Sequence, residues 1–243
     1  MYQMASFHEE ALEVEPGYWT WHCDINKVMD GIDSQILYFC DTLEADKFIL
    51  CLSDTSNFRK SILESYKGNR SNLKRPVVLK PTREWLISER HARVLPGLEG
   101  DDLMGILSTE EHEGERVIVS IDKDMKTIPG LFYQNEDKGM ISITEQEADY
   151  WHLYQTLIGD TIDGYKGCPG VGDVGARAIL DKDPTWEAVV KAYAKKGLDE
   201  EYALTQARCA RILRASDFNK GTGEPILWTP TKEVDNKKEE ASL

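Results

Sequence analysis

Two strand-length runs constrain this chain most. Phe48-Ile49-Leu50-Cys51-Leu52 ends at Ser53-Asp54, and Val117-Ile118-Val119-Ser120-Ile121 ends at Asp122-Lys123-Asp124. Runs of that length and apolarity suit strands buried on both faces, as in a parallel sheet covered by helices. Helical patterns lie between and around them. Ile25, Val28, Met29, Ile32, Ile36, Cys40 and Leu43 recur at helical spacing, and Leu103, Met104, Ile106 and Leu107 follow Leu98-Glu99-Gly100-Asp101-Asp102. Strands alternating with helices predict an α/β fold with a mostly parallel sheet flanked by helices. In such sheets ligands sit at the carboxyl ends of the strands. Asp54, Asp122 and Asp124 fall at such ends, while Glu99, Asp101 and Asp102 open a helix after a weak edge strand, Arg93-Val94-Leu95-Pro96. The sheet is therefore expected to gather acids from distant segments onto one edge. Any one of them, taken singly, is more often just a solvated turn residue, and acids in a first helical turn also suit the macrodipole. Separate segments that all end in acids are what favour a site.

A second constraint is the stretch Gly159-Asp160-Thr161-Ile162-Asp163-Gly164, which leads to Gly170-Val171-Gly172 and the apolar Ile179-Leu180. Asp160 and Asp163 are carboxylates three apart where a helix gives way to a glycine-rich turn. Glycines let a backbone approach a phosphate closely, and the N–H groups of the following helix can face that anion. A plain linker between helices is the competing interpretation. Upstream, Thr144 and Glu147 form a capping box that starts the helix delivering Asp160. Downstream, Asp183-Pro184 predicts a helix start, with Gly197 as its end, and a last helix is expected over Glu200 to Ala215. Near the start, the Tyr18-Trp19-Thr20-Trp21 alternation predicts a short strand.

With 243 residues the chain can bury a sizeable core. It shows no membrane-length apolar run and no charged-then-apolar leader, which gives a cytoplasmic expectation. Five cysteines, odd in number and never spaced as a C-x-x-C pair, argue for reduced thiols over disulfides or zinc. The net charge of −14 argues against general nucleic-acid binding, but that average hides a reversal. From Arg59 to Arg83 there are eight basic residues and one acid, Glu64, interleaved or flanked by Phe58, Tyr66 and Trp85. Such an island is a local site for a polyanion.

Clustered carboxylates raise one another's pKa unless a cation neutralises them. An all-oxygen set without Cys or His suits Mg²⁺, with Mn²⁺ able to substitute. Two such ions about 4 Å apart would bracket a scissile phosphate for in-line hydrolysis, with the basic island holding the DNA backbone.

Together these segments resemble the flap endonuclease/5′→3′ exonuclease family, in particular its bacteriophage exonuclease branch. The likeness runs from about Tyr18 to Leu213 and rests on four motifs in order. They are Leu52-Ser53-Asp54 with Asn57-Phe58-Arg59 and Tyr66-Lys67-x-Asn69-Arg70; Leu98 to Asp102; Ser120 to Asp124; and Gly159-Asp160-x-x-Asp163 leading into the hairpin turn. The resemblance implies a PIN-like nuclease core over 1–145, with a basic helical arch at about 57–85. A helix–hairpin–helix DNA-binding subdomain would cover 146–215, followed by an extension over 216–243 whose tail, 232–243, is disordered. By the same resemblance Asp54, Glu99 and Asp101 hold a first metal. Asp122, Asp124, Asp160 and Asp163 hold a second, toward which Asp101 leans, and Asp102 supports them. Lys67 and Arg70 are the basic pair on the scissile phosphate, and Tyr66 is their base-stacking neighbour. Arg59, Lys74, Arg75 and Lys80 are expected on the DNA side, and Gly170 and Gly172 grip the duplex, with K⁺ as a further ion. The implied partner is duplex DNA with a free 5′ end or a 5′ flap, bound by a monomer without any membrane.

The likeness departs from the family pattern at its start. Family members begin with an apolar strand ending in a metal-ligating aspartate, whereas Met1-Tyr2-Gln3-Met4 resembles the segment just after that strand. The expectation is a native start roughly ten residues earlier by that pattern, which fails if no apolar run ending in Asp is encoded upstream. Two functions are therefore in view. One is a metal-dependent phage exonuclease or flap endonuclease acting in replication or recombination. The other is a DNA-binding protein of the same fold, impaired by loss of the first aspartate.

Overall fold

The structure, a computed structural model, describes residues 1–70 and 74–230. The predicted disordered tail at 232–243 lies outside the described residues, as does the side chain of Arg70. The elements are, in order, α1 Tyr2–Phe7, β1 Glu9–Glu15, β2 Tyr18–Cys23, α2 Ile25–Thr42, α3 Arg59–Ile62, α4 Leu79–Glu89 and α5 Gly100–Thr109. After these come β3 Val117–Val119, β4 Gly130–Tyr133, β5 Met140–Ile143, α6 Glu145–Ile158, α7 Asp173–Leu180, α8 Trp186–Ala194, α9 Glu200–Ala210, β6 Phe218–Asn219 and β7 Glu224–Pro225. They form two compact units, one of Met1–Ser56 with Arg70–Leu103, the other of Asn57–Asn69 with the chain from Met104 onward.

In the first unit α2 turns its apolar stripe inward, so that Val28 and Ile32 pack with Ala5, Val78, Leu86 and Ala92. Asp24 caps the helix, accepting from the Asn26 N–H at 3.0 Å. The Tyr18–Trp21 strand is present and pairs antiparallel with β1. The run Phe48–Leu52 is a correction. It shrinks to a single parallel bridge between Cys51 and Arg93, closed by Leu52 N–H to Arg93 O (2.9 Å) and Arg93 N–H to Leu50 O (2.7 Å). A strand extends only as far as its partner does. Arg93 is the one pairing position this run finds among the described residues, so Phe48 and Ile49 stay 48% and 41% exposed.

The second unit holds a sheet ordered β3-β4-β5, with β3 parallel to β4 and β4 antiparallel to β5. It is thus a mixed α/β sheet rather than a largely parallel one, because the short connection over 134–139, closed by Gly139 N–H to Asn135 O, can only fold back as a hairpin. The sheet packs Ile118, Phe132 and Ile143 against Met125, Ile128 and Ile212. Helix α6 begins with the expected reciprocal Thr144–Glu147 capping box. Its apolar side joins α7, α8 and α9 around the fully buried Leu157, Val189, Tyr193, Ala203 and Ala207.

Two helix limits differ from expectation. Helix α8 is capped by Thr185, not Asp183, because the Thr185 hydroxyl accepts the Ala188 N–H at 3.3 Å while donating to the Asp183 carboxylate at 2.9 Å. Helix α9 stops at Ala210, where Arg211 turns extended and its guanidinium pairs with Asp217 at 2.8 Å. No described helix is long and apolar enough to cross a membrane.

Candidate active site

The predicted acids fall into one group in each unit. In the first unit the segments at Ser53-Asp54 and Gly97–Asp102 interlock through their backbones. Asp54 N–H donates to Leu98 O (2.8 Å), Gly97 N–H to the Asp54 carboxylate (2.8 Å), and Gly100 N–H to the Ser53 hydroxyl (3.0 Å). Gly100 suits this close start of α5, since a Cβ there would lie 3.1 Å from Cys51 O, a tight contact. The Ser56 hydroxyl and the Gly97 N–H hold the Asp54 carboxyl well below the usual carboxylate range, so it stays an anion. Asp102 is fully buried and accepts the Glu99 N–H at 3.1 Å, which closes the first turn of α5. The capping interpretation therefore describes Asp102, while Glu99 and Asp101 are half-buried on the same turn. The Asp101 charge reaches Cys51, whose thiol is pushed up to about 11, mainly by burial.

In the second unit Asp122, Asp124, Asp160 and Asp163 come together. Asp122 caps a short 3₁₀ turn by accepting the Asp124 N–H at 2.9 Å. Asp160 folds its own loop, its carboxylate accepting Ile162 N–H (2.7 Å) and Asp163 N–H (3.2 Å). Asp163 takes the Tyr66 hydroxyl at 3.2 Å and faces the Lys67 ammonium at 3.4 Å. Burial, then the charge of Asp122, pushes the Asp124 carboxyl up to about 6; Asp160 and Asp163 add to this and Lys123 opposes it. Beneath them Tyr165 is buried, its hydroxyl raised well above its ordinary value by burial and by the same acids.

Lys67 is held by backbone as well as charge. Its φ is +53°, its N–H donates to Asp163 O at 2.7 Å, and the loop opposite is Gly164, whose Cβ would sit 2.8 Å from Ser65 O. A non-glycine residue in the left-handed region persists where its surroundings dictate it, and such strain gathers at functional sites.

Whether these donors suit a divalent ion can be asked of their chemistry. They are carboxylates only, which matches a hard cation. Among the described residues no three His, Cys, Asp or Glu side chains converge to enclose an ion: Asp122 and Asp160 accept from their own turns, while Asp124 meets Gln155 and Asp163 meets Tyr66 and Lys67. A divalent ion that keeps several of its waters needs only one or two carboxylates directly.

The predicted DNA contacts differ in their exposure and partners. Arg59 is 2% exposed and donates through Nε to Cys209 O (3.1 Å) and through Nη2 to Arg211 O, covering carbonyls that α9 leaves open. Tyr66 is also 2% exposed, packed with Tyr165, Cys209 and Ala210, so its ring offers no face for a base. Lys74 is tied to Glu9 at 2.7 Å and lies over the Trp21 ring. Lys80 and Arg75 are exposed, Lys80 facing Glu84 at 3.9 Å. Gly170 has φ +74°, as a tight hairpin needs, whereas Gly172 is extended and caps α7. Sequence reasoning missed Gln155, a buried α6 residue whose side-chain amide donates to the Asp124 carboxylate. Its only signal was its position five residues before Asp160 in the helix that delivers it.

Arg59 gives a direct test. Arg59→Met is expected to lower the unfolding free energy by about 3 kcal/mol, since it leaves buried carbonyls unpaired. Urea denaturation measures this. The salt dependence of DNA binding should not change, whereas loss of a phosphate contact would flatten that slope.

A mixed sheet with Asp122 and Asp124 just past the end of β3, together with the helices α6 to α9, gives the second unit an α/β fold. The fold is shared with solved bacteriophage T5 proteins. Against the T5 D15 flap endonuclease in complex with DNA and metal ions the TM-score is 0.60, at 16% identity, covering 72% of this chain and 77% of that one. Against the T5 D15 protein co-crystallised with metal ions it is 0.58, covering 73% and 79%. No family model matches. Sequence relatives do: this chain is 31% identical to the exodeoxyribonuclease of Enterobacteria phage T3 and to the exonuclease of Escherichia phage T7, covering 86% of this chain and 84% of each relative. The chain belongs to the phage 5′→3′ exonuclease branch of the flap endonuclease family and is an exonuclease.

Proposed function

We propose that this exonuclease hydrolyses DNA phosphodiester bonds at a free 5′ end or a 5′ flap with two divalent ions, Mg²⁺ by choice and Mn²⁺ as a substitute. The observation that carries this is the grouping of Asp122, Asp124, Asp160 and Asp163, where burial and then the neighbouring carboxylates raise Asp124 against the opposing charge of Lys123. Asp54, Glu99 and Asp101 would hold one ion and Asp122, Asp124, Asp160 and Asp163 the other, with Asp102 setting the turn that carries Glu99 and Asp101. Bound there, such ions neutralise the phosphate and stabilise charge developing in hydrolysis. The solved T5 relative with DNA and metal ions supports both substrate and ions.

The chain's own residues orient the substrate. Lys67, held beside Asp163, and Arg70 would meet the scissile phosphate, and Arg75, Lys80 and Lys74 would line the path of the 5′ strand. The Gly170–Gly172 hairpin and the first N–H groups of α7 would face the duplex backbone, with K⁺ between them. The enzyme would work as a monomer in the host cytoplasm.

End polarity tests this. On linear duplex DNA with a 5′ phosphate, a 5′ label should leave as short products while a 3′ label stays on long fragments, and chelation with EDTA should stop the release. Loss of the 3′ label first, or cleavage that persists in EDTA, contradicts it.

A further inference from the structure

We propose that Gln155 is a positioning residue of the nuclease site: its side-chain amide fixes the Asp124 carboxylate so that one oxygen is held and the other left for a divalent ion. This deepens the function proposed above and rests on it. The observation is a contact across 31 positions of sequence. The Gln155 Nε2–H donates to Asp124 Oδ1 from the inward side of α6, where Gln155 is 6% exposed. The same residue's carbonyl accepts the Gly159 N–H at 2.9 Å, ending the helix immediately before Asp160. One residue thus joins the turn bearing Asp122 and Asp124 to the segment bearing Asp160 and Asp163.

The choice of side chain matters. Asp124 lies among acids that repel it, and a half-buried carboxylate without an anchor would swing toward water. A lysine or arginine at 155 would anchor it but would neutralise the charge a metal needs. A glutamate would add to the repulsion, and an apolar residue would leave the oxygen unpaired. An amide donates one N–H and leaves the anion and its second oxygen free. Groups that orient metal ligands in this way commonly change metal affinity by about 10- to 100-fold when removed.

The test uses Gln155→Met, which keeps length without a donor, and Gln155→Glu, which keeps shape and reverses the interaction. Mn²⁺ binding to the DNA-free protein is followed by the magnetic resonance of free Mn²⁺, with Asp124→Asn defining the binding that depends on Asp124. Thermal unfolding and DNA affinity are measured in EDTA. The expected result is about tenfold weaker Asp124-dependent Mn²⁺ binding in either folded variant. DNA affinity in EDTA should stay within about twofold of the parent protein, because no phosphate contact is lost. Wild-type Mn²⁺ binding by Gln155→Met overturns the proposal alone. If both variants are unfolded in EDTA, Gln155 is a packing residue and the proposal fails. If Asp124→Asn binds Mn²⁺ as the parent does, the assignment of the whole acid group fails with it.

Discussion

Gly159→Ala should destabilise the second unit by about 4 kcal/mol or more, the range reached when a side chain is forced against backbone. Gly159 has φ +69° with an extended ψ of 179°, a combination that only glycine adopts freely. A Cβ there would overlap Gly167 N and Lys166 C and lie 2.7 Å from Lys166 O. None of those atoms is a flexible side-chain end that could step aside. Gly167 is fixed in turn, its N–H donating to the buried Gln206 at 3.0 Å and its own would-be Cβ overlapping Gly159 N. The pair forms a backbone crossing at the foot of the loop that presents Asp160 and Asp163. A contrasting substitution uses the same turn: Gly172 is extended and has nothing within 4 Å of a built Cβ, so Gly172→Ala should change stability by less than about 1 kcal/mol. Chemical denaturation of both variants measures the difference. Equal, small effects would show that the crossing can relax and would contradict the close approach of Gly159 and Gly167.

These two glycines also mark what could be read from sequence. The motif Gly159-Asp160-x-x-Asp163 pointed to a turn carrying carboxylates, but nothing local says that Gly159 meets Gly167 rather than a ligand. Features whose signal is local were legible: the Thr144–Glu147 box and the helical spacing of the α2 stripe are both written within a few residues. Composition misled where long-range contacts decide. Arg59 counts as part of a basic island until α9, some 150 positions on, brings carbonyls for it to cover. Tyr66 is lost to solvent for the same reason, and Phe48–Leu52 has strand composition but only one pairing position. Gln155 carried no motif, since an amide's importance depends on which carboxylate it meets.

The acids themselves were legible because chemistry demands their type, and one of them carries the central claim. Asp124 is the residue that burial and its acidic neighbours push up to about 6. In Asp124→Asn the side chain keeps its shape and loses its charge, so it can no longer serve a divalent ion as an anionic ligand. The measurement is single-turnover cleavage of 5′-labelled duplex DNA in Mg²⁺ by the parent protein and by Asp124→Asn, with DNA affinity read separately in EDTA. The expected result is Mg²⁺-dependent release of short 5′ products by the parent and a loss of at least about a hundredfold in the variant. DNA affinity in EDTA should be equal or slightly tighter, since the variant removes one negative charge facing the phosphates. Cleavage by Asp124→Asn at the parent rate would contradict the account, because the carboxylate group would then not be where hydrolysis is carried out.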